Sequence, residues 1–206
     1  MVQVTVKPVE FTPEGKQLFK RLPDITEYFA SAYFNFDKAV DIASRGLDYA
    51  RSGEDVIRYG AIGILTDAIY WFKRSESSLI IVADKLRELA SDDLIREDLP
   101  NYKTLLRKIE LARGYVETSI EEISNIANKL REETPSDDKI NMLKNLMTEG
   151  RGLLARIVDL WREILYMYMF DPPEGIDFGK VGNLVKVVAI GLGGLAIFGI
   201  VLSKFR

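Results

Sequence analysis

The feature that most constrains the fold is an apolar run near the C-terminus, Val187 to Leu202, which reads VVAIGLGGLAIFGIVL. All sixteen residues are apolar or glycine, and extending the run from Val181 to Ser203 adds one charge, Lys186. As a helix at 1.5 Å per residue this stretch is roughly 34 Å long, against a bilayer hydrocarbon core of about 30 Å. The run therefore predicts a single transmembrane helix; the alternative is a helix buried on every side in a protein core.

The predicted membrane anchor covers residues 181–206 and follows a linker with proline and glycine at 171–180. Its apolar residues are Val187, Val188, Ile190, Leu192, Leu195, Ile197, Phe198, Ile200, Val201 and Leu202. A face of small residues is formed by Gly182, Ala189, Gly193, Ala196 and Ser203. Small residues at such spacing let transmembrane helices pack closely, although glycine also occurs in spans without a partner. The pattern leaves open whether anchors pack together.

The N-terminal sequence MVQVTVKPVEFTPEGK lacks the basic and apolar segments of a secretory signal. Lys180 and Lys186 precede the span and Lys204 and Arg206 follow it, so flanking charge does not decide the orientation. We expect a single-pass membrane protein whose N-terminal part stays on the cytoplasmic, or particle-interior, side.

Composition excludes several kinds of functional site. The chain has no cysteine and no histidine, which excludes disulfides, thiol catalysis, histidine triads and the Glu-x-x-His motifs of di-iron bundles. A net charge of −3 with dispersed lysine and arginine does not resemble the basic stripe of a nucleic-acid-binding protein. The charged fraction of 29% is compatible with a thermophilic source. We expect no enzymatic activity, cofactor, metal, nucleic-acid partner or small-molecule substrate.

Acidic residues are the remaining candidates for chemistry. Asp67 and Asp159 lie among apolar residues, and acids cluster at 92–98 and at 132–138. Neither cluster has the alternating ligands and central glycine of an EF-hand loop. We interpret the clusters as helix-end charges rather than cation sites, and the two aspartates as solvated or ion-paired.

Four long stretches carry apolar residues at steps of three and four, the spacing of one helical face. They cover Asp24–Ser52, Glu54–Ala90, Tyr102–Glu133 and a helix capped by Ser136 that runs to Phe170. Four such helices with short connections bury their apolar faces only against one another. The prediction for residues 24–170 is an all-α, elongated antiparallel four-helix bundle; two splayed hairpins are the alternative. The repeats do not read as strict heptads with paired charges, so no extended two-stranded coiled coil is predicted.

Residues 1–23 are predicted to form an extended arm and a short helix. Val2, Val4 and Val6 alternate with polar residues, which is strand periodicity, until Pro8. The arm is either loosely held or adds to a neighbouring protein. A short helix is expected to end before Pro23.

Two apolar stripes run along the second helix. Ile57, Ala61, Ile64 and Ala68 are taken as the core stripe, and the other lies about 100° around the helix. Together with two glycines, the second stripe predicts a protein interface of Gly60, Ile62, Gly63, Leu65, Ile69 and Phe72. Its partner would most simply be a second copy; the alternative is that an irregular bundle buries both stripes.

Aromatic residues concentrate where the predicted topology places the membrane-near end of the bundle. They are Tyr28, Phe29, Tyr33, Phe34 and Phe36 in the first long helix and Trp161, Tyr166, Tyr168 and Phe170 in the fourth. They either fill a wide bundle end or meet the membrane interface, which tyrosine and tryptophan favour.

These features favour a non-enzymatic, membrane-anchored helical scaffold that self-associates or binds neighbouring structural proteins, as in a membrane-containing virion or a membrane assembly. Two alternatives stay open. The glycine-rich apolar terminus also suits a membrane-remodelling or fusion factor, and the bundle also suits a tail-anchored adaptor for a soluble partner.

Overall fold

The computed structural model describes residues 13–52, 54–92, 94–95 and 100–169. Within these ranges the chain forms four α-helices and no strand: α1 (Pro13–Ala50), α2 (Asp55–Ser91), α3 (Pro100–Lys129) and α4 (Asp137–Met169). All of them belong to one compact unit, Phe11–Met169. An all-α four-helix bundle is thus confirmed for this part of the chain. The predicted arm at residues 2–8, the linker and the membrane anchor lie outside the described residues.

α1 is one continuous helix, so the predicted break before Pro23 is wrong. An interior proline removes one backbone hydrogen bond and crowds the preceding turn, which costs about 3 kcal/mol. Contacts on both sides of Pro23 oppose this cost. Arg21 forms an ion pair with Asp92 at the end of α2, and Ile25 is only 2% exposed. Tertiary contacts therefore keep α1 helical through a residue that would end an isolated helix.

The other helix ends lie close to those predicted from the sequence. α4 begins after the predicted cap, where the Ser136 hydroxyl accepts a hydrogen bond from the Lys139 backbone N–H at 3.3 Å. Asp137 and Asp138 occupy its first turn, where carboxylates favour the helix dipole. α3 ends at Lys129, four residues before the predicted end at Glu133.

In every helix one line of buried residues is spaced alternately by three and four positions, a 3.5-residue period. The positions are Ile25, Phe29, Ala32, Phe36, Ala39, Ala43, Gly46 and Ala50 in α1; Ala61, Leu65, Ala68, Phe72, Ser75, Leu79, Val82, Leu86 and Leu89 in α2; Tyr102, Leu105, Ile109, Ala112, Val116, Ser119, Ile123 and Ile126 in α3, with Leu130 just beyond it; and Ile140, Leu143, Met147, Gly150, Leu154, Ile157, Trp161 and Ile164 in α4. This is the heptad spacing of left-handed helix packing. Alanine, glycine and serine fill many of these positions and hide the period in the sequence, while the expectation of no extended two-stranded coiled coil agrees with the four-helix bundle.

Each helix packs against two neighbours in a closed cycle: α1 contacts α2 and α4, and α3 contacts the same two helices. Ion pairs join the helices across this cycle. Lys144 Nζ lies 2.7 Å from Asp48 Oδ1 between α4 and α1, and Lys139 Nζ lies 3.1 Å from Glu122 Oε2 between α4 and α3. The closed cycle excludes the alternative of two splayed hairpins.

α1 and α2 share the most extensive interface of the bundle. Small residues recur every seven positions on both helices, with Ala32, Ala39 and Gly46 on α1 and Ala61, Ala68 and Ser75 on α2. The Ser75 hydroxyl donates a hydrogen bond to the Ala32 carbonyl oxygen at 2.8 Å. The serine hydroxyl is attached directly to Cβ, so it reaches the backbone of the opposite helix only when the two helices lie very close. α1 and α2 are therefore a tightly packed antiparallel pair.

Candidate interaction surface

The core side of α2 lies between the two stripes identified in the sequence. Ala61, Leu65, Ala68 and Phe72 are all 0% exposed. The Phe72 ring meets the Phe36 ring edge-on, with centroids 5.2 Å apart. Leu65 and Phe72 are therefore core residues, which corrects their assignment to an outer interface.

The remaining members of the two stripes flank this core on opposite sides. Ile64 lies towards α1, where its Cγ2 would be 3.2 Å from a Cβ at Gly46. Ile62 is half-buried on the other flank, in a groove of about 500 Å³ lined also by Tyr59, Gly63 and Arg131. A bundle helix needs apolar residues on both flanks because it packs against two neighbours. Ile69 is half-buried like Ile62, and the interface predicted for these residues stays a prediction.

Opposite the core, α2 presents an unusually apolar solvent-facing surface, which we call the outer face of α2. It is formed by Val56, Tyr59, Gly60, Gly63, Thr66 and Tyr70, with Asp67 as the one charged residue among them. Val56 is 85% exposed, Tyr70 53% and Tyr59 44%. A Cβ at Gly60 or Gly63 would meet no atom within 4 Å. Exposed apolar and aromatic residues grouped on one face are typical of a binding surface.

Gly60 and Gly63 of this face were predicted from the sequence, whereas Val56 and Tyr70 were not. Val56, Gly63 and Tyr70 are spaced by seven residues, so the heptad period places all three on one line. That line was hidden because the core stripe was centred on Ile57 and Ile64 rather than on Ala61 and Leu65. A search for the 3.5-residue period would have found it.

Opposite charges lie at the two ends of the outer face. Glu54 and Asp55 begin α2, while Lys73 and Arg74 lie five turns later, and all four are exposed. Asp55 pairs with Arg58 at 2.5 Å, and Arg74 donates a hydrogen bond to the Tyr70 hydroxyl at 3.0 Å. Among the described residues, Glu54 and Lys73 form no ion pair, so both charges are available to a partner.

The aromatic residues at the predicted membrane-near end divide between core and surface. Phe29 and Trp161 pack together with ring centroids 5.4 Å apart, and Phe36 is 1% exposed. Phe34 is 61% exposed and Tyr33 37%. The side chains of Tyr166 and Tyr168, and all of Phe170, lie outside the described residues. The buried residues therefore fill the bundle, as one of the two interpretations requires.

Asp67 and Asp159 lie on the surface, whereas Asp93, Glu97 and Asp98 of the first acidic cluster lie outside the described residues. Asp67 is exposed, and Asp159 pairs with Arg162 at 3.3 Å. Across the described ranges no three acidic residues are grouped in a way that could hold a metal ion. One described residue has a clearly shifted pKa: the hydrogen bond that Tyr115 donates to Glu149, 3.1 Å long, raises the pKa of its phenol above 10.0. The hydrogen bond favours the protonated phenol, and the nearby carboxylate charge acts in the same direction.

None of the four described helices is long and apolar enough to cross a membrane. The residues assigned to the anchor and to its small-residue face all fall outside the described ranges, so the anchor stays a prediction. Comparison of the chain with protein-family models, curated proteins and solved structures gave no match.

Proposed function

We propose that this protein is a non-enzymatic helical scaffold, anchored in a membrane by residues 181–206, that self-associates or binds neighbouring proteins through its bundle. The outer face of α2 carries this proposal, because Val56, Tyr59 and Tyr70 expose apolar and aromatic surface there. A structural role in a membrane-containing virion or a membrane assembly fits a bundle of this kind. Its N-terminal part would lie on the cytoplasmic, or particle-interior, side.

The apolar run Val187–Leu202 supports the membrane part of the proposal, since its length and composition suit a bilayer span. The bundle supports a compatible arrangement. α4 ends at Met169, at the same end of the bundle as the start of α1, where Trp161 meets Phe29. In a membrane-anchored protein this end would face the bilayer, and the α1–α2 turn would lie far from it.

Membrane attachment is tested by placing charges in the anchor of the full-length chain. A Leu195→Arg/Ile197→Arg variant should leave the membrane fraction on flotation, because each arginine at a helix centre costs about 2.5–3.5 kcal/mol on insertion. A Leu111→Arg/Met142→Arg variant is the matched control, since these side chains are already 55% and 59% exposed. If the anchor variant floats like the control, residues 181–206 are not the anchor.

Association is tested by chemical cross-linking in native membranes. Wild-type protein should give cross-linked species, and a Tyr59→Ser/Tyr70→Ser variant should give fewer, because it removes the aromatic part of the outer face. A Leu111→Ser/Met142→Ser variant removes equally exposed apolar surface elsewhere and should cross-link like wild type. Recovery of monomer alone from wild-type membranes would remove the case for a scaffold.

A further inference from the structure

We infer that the outer face of α2 binds the same face of a second copy, with the two helices antiparallel and a two-fold axis at Gly63. In such a pair each residue meets the one equally far on the other side of Gly63. Val56 and Tyr70 are both seven residues from Gly63, so Val56 of one copy meets Tyr70 of the other at both ends. In this arrangement the large side chains of Val56 and Tyr70 pack at the two ends, and the two helices approach most closely at Gly63, which has no side chain.

The space above the glycines suits this arrangement. Glycine is unfavourable in a helix, and the chain often keeps it where a neighbouring group needs the room. Gly46 and Gly150 are of that kind, since a Cβ there would lie 2.7 Å from Leu65 Cδ2 and 2.6 Å from Phe36 Cζ. At Gly60 and Gly63 no such group lies within 4 Å. A second helix crossing at Gly63 would use the room that the bundle itself leaves open.

The charges on α2 are complementary in the same arrangement. The acidic start of the helix, Glu54 and Asp55, lies eight to nine residues before Gly63, and the basic Lys73 and Arg74 lie ten to eleven residues after it. The two-fold axis therefore brings the acidic turn of one copy beside the basic turn of the other, twice in each dimer. A parallel pair in register would instead set acid against acid and base against base. Charge thus favours a second copy in the antiparallel direction.

The arrangement joins the bundles by their tips. Residues 54–74 of one copy lie alongside the same residues of the other, which pairs about 30 Å of helix next to the α1–α2 turn of each bundle. The opposite ends of the two bundles, where α2 ends at Ser91 and α4 ends at Met169, then point away from each other. If those ends face membranes, which rests on the proposed function, the dimer bridges two bilayers rather than two sites on one bilayer.

Disulfide cross-linking tests the direction of pairing, since the full-length chain contains no cysteine of its own. Gly63→Cys should form a disulfide-linked dimer under mild oxidation, because the two copies of residue 63 meet at the axis. Ser77→Cys is the matched control: it is exposed on the same line of α2, and its two copies would lie about 42 Å apart in the antiparallel pair. Disulfide formation in both variants would show a parallel pair and overturn the inference. Absence of a disulfide-linked dimer in the Gly63→Cys variant would also overturn it.

A second test changes the association without a new disulfide. Gly63→Leu should abolish the dimer of full-length protein in sedimentation experiments while leaving the bundle folded, because the added side chain enters open space. Gly114→Leu, at an equally open glycine of α3, should leave the dimer intact. Equal effects of the two variants, or none, would contradict a contact at Gly63.

Charge exchange tests the register. Lys73→Glu should weaken the dimer roughly tenfold, because the two-fold axis repeats the repulsion at both ends. Adding Glu54→Lys should restore it, whereas Arg107→Glu, an exposed change on α3, should have no effect. Failure of the double variant to recover would contradict the antiparallel register.

Vesicle clustering separates this inference from the proposed function. Full-length protein in liposomes, with the bundle outward, should cluster them, and Gly63→Leu should abolish the clustering while the protein still floats with the lipid. Flotation without clustering by wild-type protein would overturn the bridging dimer and leave the anchor intact. If wild-type protein does not float with the lipid, the proposed membrane anchor is wrong. The disulfide experiment would then still test whether the antiparallel dimer forms.

Discussion

Gly150 offers a stringent test of the packing, because helix propensity and packing predict opposite effects of changing it to alanine. Alanine is favoured over glycine inside a helix by about 1 kcal/mol. At Gly150, however, the new Cβ would lie 2.6 Å from Phe36 Cζ and 3.2 Å from Tyr115 Cβ. Ordinary contact begins at 3.4 Å, so the Phe36 ring must retreat by about 0.8 Å inside a core in which it is 1% exposed.

Overpacking of this size costs about 1–3 kcal/mol, and Tyr115 Cβ cannot yield without moving the α3 backbone. We therefore expect Gly150→Ala to be neutral or destabilising by up to about 2 kcal/mol. Gly152→Ala is the control in the same helix. It meets no atom within 4 Å and should stabilise the protein by about 1 kcal/mol.

The measurement is thermal unfolding of the full-length protein in detergent, followed by circular dichroism. A difference of about 2 kcal/mol between the two variants corresponds to roughly 4–8 °C in Tm for a chain of this size. Phe36→Leu should lessen the effect of Gly150→Ala, because it removes the atom in the way. If Gly150→Ala is as stable as Gly152→Ala, the description of Phe36 packed on the α4 backbone is wrong.

Three further changes test separate contacts. Ser75→Leu should destabilise the protein by about 2 kcal/mol in urea unfolding, because the larger side chain forces α1 and α2 apart at Ala32; an unchanged midpoint would refute the close pairing. Arg151→Met removes the ion pairs that its side chain forms with α1 and should cost about 1 kcal/mol, less at high salt because the arginine is 34% exposed; an effect independent of salt would argue against ion pairing. The raised pKa of Tyr115 means that its bond to Glu149 stabilises the folded protein fully below pH 10 and is lost as the pH rises through the folded-state pKa. Tyr115→Phe should therefore lose part of the alkaline decline in stability, and an identical pH profile would contradict the bond.

Local patterns predicted the helices well because each depends on neighbours in sequence. α1 ends at Ala50, close to the end that Gly53 predicts, and Ser136 caps α4 with a hydrogen bond to a residue three positions on. Both signals act within one turn of helix. The prediction at Pro23 was wrong for the same reason: its local cost is real, but Arg21 and Ile25 contact the rest of the bundle on either side of it, which local sequence does not reveal.

The orientation of α2 was harder to predict, since its apolar arc is wide. Residues on either flank, such as Ile62 and Ile64, are more hydrophobic than Ala61 and Ala68 at the centre. Periodicity weighted by hydrophobicity therefore predicts that the flanks, rather than the centre, face the core. The true centre depends on small residues that let α1 come close, and their burial at 0% exposure is a property of the pair of helices rather than of either one.

The four long amphipathic stretches, most of their limits and the bundle they form follow from the sequence alone, because amphipathic spacing and capping are local; the separate short helix expected before Pro23 does not exist. The sequence also determined the apolar run Val187–Leu202 on which the proposed anchor depends. The positions of Leu65 and Phe72 in the core, and of Val56 and Tyr70 on the surface, follow from the packing of the helices. The physical reason is that burial depends on where neighbouring helices lie, and α1 and α3 take up opposite flanks of α2, leaving the line through Gly63 to the solvent.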